Sequence, residues 1–157
     1  MIDPLLLAKI EEIEVEYKSQ YGSKASVPDW LIVQLLNAPD ALLPLAPVLV
    51  AATAVRTVLI RHGDYAKIEL QSTTATDFEK RLLALSALAV TNLITVIDFQ
   101  DPQVLSDFTT NLNALVVDGT ISMESAAEIN NLINQQQSWA QYHNINVTPQ
   151  VIAEARS

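Results

Sequence analysis

His62 and His143 are the two histidines of this 157-residue chain, and metal or acid–base chemistry would be sought there first. A ligand pair on one helical face needs a second histidine or a carboxylate three or four residues away, and neither histidine has one. His62 falls in the last turn of an expected helix, where the dipole favours a partly positive ring. Asp118-Gly119-Thr120-Ile121 resembles the middle of a calcium-binding loop of the EF-hand kind. In that register the first and third positions would be Ala114 and Val116, and the twelfth would be Ser125 where a bidentate glutamate is needed. Gly119 is therefore read as a helix stop. Asp98 and Asp101 are close in sequence, but they mark a helix end and a helix start instead of a general acid and base. No Gly-rich phosphate loop and no Gly-x-Ser-x-Gly elbow occurs. Cysteine is absent, which removes disulfides and thiolate ligands. Asn146-Val147-Thr148 has the form of a glycosylation sequon, but Pro149 follows it directly. No catalytic residue, cofactor or metal is expected.

The elements that would position any site are helices. Half the residues are hydrophobic, only 6% are aromatic and three are glycine, a balance that favours helix over turn-punctuated strands. At this length one domain with a substantial core is expected. The formal charge of −9 argues against a nucleic-acid face, since phosphate binding needs clustered cations. Beyond Arg81 there are seven acidic residues and a single basic one, Arg156. Met1-Ile2-Asp3-Pro4 lacks the basic region of a signal peptide, so secretion by that route is not expected.

Asp3-Pro4 is a helix-start pair. Leu6, Ile10, Ile13, Tyr17 and Tyr21 then make a narrow apolar stripe as far as Gly22, backed by Glu11, Glu12, Glu14 and Glu16. Two readings are open for residues 1–22: a helix lying on its own domain, or an arm docking on a neighbouring subunit, because the stripe is as wide as a coiled-coil seam. A short helix is predicted from Asp29 to Asn37, partly burying Trp30, with Pro39 ending it. A second apolar helix is predicted over Pro47–Arg61, then a loop or single turn over Tyr65–Leu70. Asp101-Pro102 and Ser122 start two further helices, which form an αα-hairpin around Gly119. Trp139 and Tyr142 follow, then extended Ile145 and Val147, then a last helix from Thr148-Pro149 to Arg156.

The segment Thr76–Phe99 is the expected centre. Thr76-Asp77-Phe78-Glu79 has the form of a capping box. Phe78, Leu82, Leu85, Ala89, Leu93 and Val96 share one helical face, and Leu83, Ala87, Val90, Ile94 and Ile97 another. A helix apolar on two faces is predicted to be covered on both. The rival reading is a membrane hairpin made of residues 48–60 and 82–97, but each run is shorter than the ~20 residues of a span. Arg56 and Asn92 also interrupt them. The fold expected is all-α, a single-domain bundle of about six helices, with 23–157 as the helical domain and no membrane contact.

The tail carries a resemblance. Ser138-Trp139-Ala140-Gln141-Tyr142, a short extended piece, and Val147-Thr148-Pro149-Gln150-Val151-Ile152-Ala153-Glu154-Ala155-Arg156 are similar to the ending of small helical virion and assembly proteins of tailed bacteriophages. Leu35-Leu36-Asn37-Ala38-Pro39 also has counterparts there. Trp139 stands where arginine is usual in that set, and Gln141 where glutamate is usual. The resemblance implies a virion location after synthesis in the host cytoplasm. It implies a non-enzymatic structural or adaptor role in the tail, baseplate or fibre-attachment region, with other phage structural proteins or further copies of the chain as partners. A cytoplasmic assembly chaperone and a two-span protein of the lysis type are the alternatives. The expected contact residues are Leu6, Ile10, Ile13 and Tyr17 on the first helix, with Trp139, Tyr142 and Val151 near the C-terminus, since aromatic anchors dominate interfaces.

Overall fold

Asp3 starts the first helix as its type and position dictate: its carboxylate accepts the Leu5 N–H at 2.8 Å, and Pro4 opens the first turn. The same device recurs at Asp101-Pro102 and, with hydroxyls, at Ser122, Ser138 and Thr148. The computed structural model describes residues 1–157. In chain order the elements are α1 (Pro4–Tyr21), α2 (Asp29–Asn37), β1 (Ala46–Pro47), β2 (Leu49–Ala51), α3 (Ala52–Arg61), α4 (Asp64–Thr74) and α5 (Phe78–Leu93). There follow β3 (Val96–Asp98), α6 (Pro102–Val117), α7 (Met123–Ile133), β4 (Asn134–Gln135), α8 (Trp139–Tyr142) and α9 (Pro149–Arg156). The fold is all-α in character, with nine helices where about six were expected. No helix is long and apolar enough to cross a membrane.

The chain divides into two compact units, in place of an N-terminal arm and one domain. The first takes both ends, Met1–Leu45 and Gln136–Ser157. Its core joins Leu6, Ile10 and Ile13 of α1 to Ile32 and Leu36 of α2 and to Ile152 of α9. The stripe of α1 is thus filled by its own unit. Arg156 fastens this unit: its Nε meets Glu14 at 2.8 Å, and its other nitrogens reach Asp29 and the carbonyls of Val27, Lys24 and Ala25. Trp30, expected to be partly buried, points outward.

The second unit is the continuous segment Ala46–Gln135. Two short antiparallel pairs, β1 with β4 and β2 with β3, supplement its helices. Val50 and Ile97 face each other across the second pair, and both are buried. This corrects two expectations. The helix predicted from Pro47 begins only at Ala52, and Ile97 belongs to a strand, because the β-branched run Thr95-Val96-Ile97 pairs with β2. Tyr65–Leu70, expected as a loop or turn, lies within α4; Ile68 is its core anchor. The core gathers Val55 and Leu59 of α3, Leu112 and Leu115 of α6, Ile129 and Ile133 of α7, and Phe99 from the link between β3 and α6. Phe99 and Phe108 meet edge to face with ring centres 4.9 Å apart. As expected, α6 and α7 form a hairpin; Leu115 O accepts from Thr120 N and Ile121 N, closing the turn at Gly119, whose φ is +80°.

Candidate interaction surface

Helix α5 is capped by Asp77, not Thr76: the Asp77 carboxylate accepts Glu79 N at 2.9 Å and Lys80 N at 3.4 Å. The larger correction concerns its faces. Only Ala84 and Thr91 of α5 are buried, and the helix expected to be enclosed lies with one side open. Leu83, Ala87, Leu88 and Val90 pack partly against the core. Asn92 on a flank accepts from Arg56 of α3 and bonds with the Tyr65 hydroxyl of α4. The other apolar face is in solvent: Phe78 is 74% and Leu93 82% exposed, and Leu82, Leu85 and Val96 are about half exposed.

This ridge is uncharged as well as apolar. From Leu82 to Ile97 the sequence holds 16 residues without a charge. Isolated exposed leucines need no explanation, but a contiguous apolar strip along a whole helix marks a surface that something covers.

Beside the inner flank of α5 lies a cavity of about 230 Å³ whose wall includes Val55, Leu59, Ala87, Val90, Phe108 and Ile129. The hydroxyls on that wall do not turn toward it as donors: Ser86 donates to Leu82 O and Thr91 to Ala87 O. Asp107, at the rim, accepts from Gln103 at 2.8 Å. A pocket so lined takes apolar groups.

The polar clusters are structural. Asp64 is fully buried and accepts from Lys67, from Ser122 N and Oγ, and from Ser125 Oγ. Burial alone would raise its pKa; the hydrogen bonds from Lys67, Ser125 and Ser122 outweigh that and hold it far below the usual carboxylate range. Asp118 is likewise lowered: burial opposes the shift, and the Thr120 hydroxyl and N–H, with Gln71, drive it. The carboxylate of the calcium-like segment is thus taken up by its own turn, at 2.6 Å and 2.9 Å. Glu128 meets His62 Nε2 at 2.8 Å and also pairs with Arg61. No group of three His, Cys, Asp or Glu side chains gathers with the geometry of a metal site.

The residues expected to make contacts all fall in the first unit. Leu6, Ile10 and Ile13 are 1–5% exposed and serve as packing residues of that unit, so they offer no surface to a neighbour. Tyr17, Trp139 and Val151 are half-buried against the same core. Tyr142 is half exposed, and its ring meets that of His143 edge-on. The ridge of α5 was visible in sequence as the stripe Phe78, Leu82, Leu85, Ala89 and Leu93, with spacings of four, three, four and four, the pattern of a helix–helix seam. No protein family, curated protein or solved structure matches the chain.

Proposed function

We propose that this chain is a non-enzymatic structural or adaptor protein that works by protein–protein contact, with the outer face of α5 as its docking surface. The observation that carries the reading is the uncharged ridge from Phe78 to Val96, on which Phe78, Leu82 and Leu93 are more than half exposed and Leu85 and Val96 nearly half. The narrower reading, a component of a tailed-phage particle at the tail, baseplate or fibre attachment, is supported by the tail pattern from Ser138 to Arg156 and the Leu35–Pro39 stretch. Mass spectrometry of purified particles tests that narrower reading: a fixed copy number per particle supports it. Presence in infected cells with absence from particles would favour the chaperone alternative, in which the ridge shields apolar surfaces during assembly.

A further inference from the structure

We infer that the partner of the α5 ridge is a second copy of this chain, paired antiparallel through a two-fold axis that passes between Leu85 and Ala89 on the open face. The inference rests on the reading of that ridge as a docking surface and names its occupant.

Three observations point to self-pairing. The first is charge. Each copy carries a net −9, so two copies repel on balance, and the strip from Leu82 to Ile97, which holds no charged residue, is where they can meet without opposing like charges. The second is area. The open side chains of α5 and the adjoining Ile94 and Val96 present on the order of 600 Å² of apolar surface, at the top of the range for a monomer's largest patch. That is most of the ~800 Å² each partner buries in a standard interface. The third is shape. A two-fold interface must be self-complementary, residue i meeting j and j meeting i. Antiparallel pairing about residue 87 sets each Leu85 against the small Ala89 of the other copy, a large side chain over a small one, twice. The antiparallel arrangement brings the N-terminus of each α5 beside the C-terminus of its mate, which the helix dipoles favour.

The test uses the full chain. Sedimentation equilibrium on the wild type is expected to give the mass of two chains, and Leu85→Glu to give one, with the dissociation constant raised at least ~100-fold by a carboxylate placed in an apolar contact. Leu93→Glu, at a position more exposed in the single chain, guards against misfolding; circular dichroism should match the wild type. The chain has no cysteine, so register can be read directly. A mixture of Leu85→Cys and Ala89→Cys chains should form a disulfide-linked pair on oxidation, and Leu93→Cys alone should not. A wild type with the mass of one chain overturns the inference, whether the ridge is bare or covered by other parts of the same chain. A dimer indifferent to both glutamates, or one that Leu93→Cys crosslinks in parallel register, also overturns it. A monomer present in particles at fixed copy number would discard self-pairing and leave the adaptor reading standing.

Discussion

Asp64, in the first turn of α4, accepts a hydrogen bond of 2.6 Å from the hydroxyl of Ser125, 61 residues later on α7. The same carboxylate oxygen accepts the N–H and hydroxyl of Ser122, the N-cap of α7, at 2.8 and 2.7 Å. One buried charge thus joins the starts of two helices. A buried carboxylate is stable there because donors surround it.

Replacing Asp64 by Ala is expected to destabilise the second unit by about 3 kcal/mol, because Ser125 and Ser122 are left without their acceptor in a buried site. Urea unfolding followed by circular dichroism measures it. A loss under 1 kcal/mol would show that the cluster is dispensable.

The same group sets an acid limit. Its folded pKa lies below the ordinary carboxylate value, so its contribution is present above about pH 4 and is lost as pH falls through the folded pKa. Stability measured between pH 5 and pH 2 (roughly the range below the ordinary carboxylate value) should therefore fall less steeply for Asp64→Asn than for the wild type. Equal slopes would count against the assignment.

Arg156 should resist conservative replacement. Its five contacts use Nε and both terminal nitrogens in one fixed fork, which a lysine cannot reproduce. Arg156→Lys is expected to lose about 2 kcal/mol, close to Arg156→Ala, measured by thermal or urea unfolding. Rescue by lysine would mean that charge alone matters.

The cap of α5 is open to a paired comparison. Asp77→Ala should cost about 1 kcal/mol and Thr76→Ala only a few tenths, because the Asp77 side chain holds the first N–H groups of the helix. The reverse order would restore the capping box read from sequence.

The core gives a further comparison. Phe99 is fully buried and packs on Phe108 at 4.9 Å, so Phe99→Ala should cost roughly 4 kcal/mol. Leu82→Ala, on the open ridge, should change the stability of a single chain by less than ~0.5 kcal/mol. A large loss at Leu82 in dilute, unassociated protein would show the ridge to be covered from within.

What could be read from the sequence was local. Asp3, Asp101, Ser122 and Thr148 start their helices because the groups they satisfy lie within three residues. The amphipathic helix of residues 4–21, the hairpin around Gly119 and the all-α class follow from the same short-range chemistry. Tyr65–Leu70 misled because its apolar alternation is strand-like, whereas the helix is decided by Ile68 packing in the core of the second unit.

Burial was decided elsewhere. Helix α5 is apolar on two faces, so its own residues cannot say which one is inside; α3, α4 and α6, packed against it, choose the Leu83–Ala87–Val90 side and leave Phe78, Leu82, Leu85 and Leu93 open. The stripe of α1 is equally silent about what fills it until Ile152, well over a hundred residues away, is brought beside it. The sequence by itself determined the helices and where they start, because capping is a matter of neighbours along the chain. Only the tertiary structure decided which apolar surfaces became core and which became a docking face, because burial depends on contacts between residues far apart in sequence.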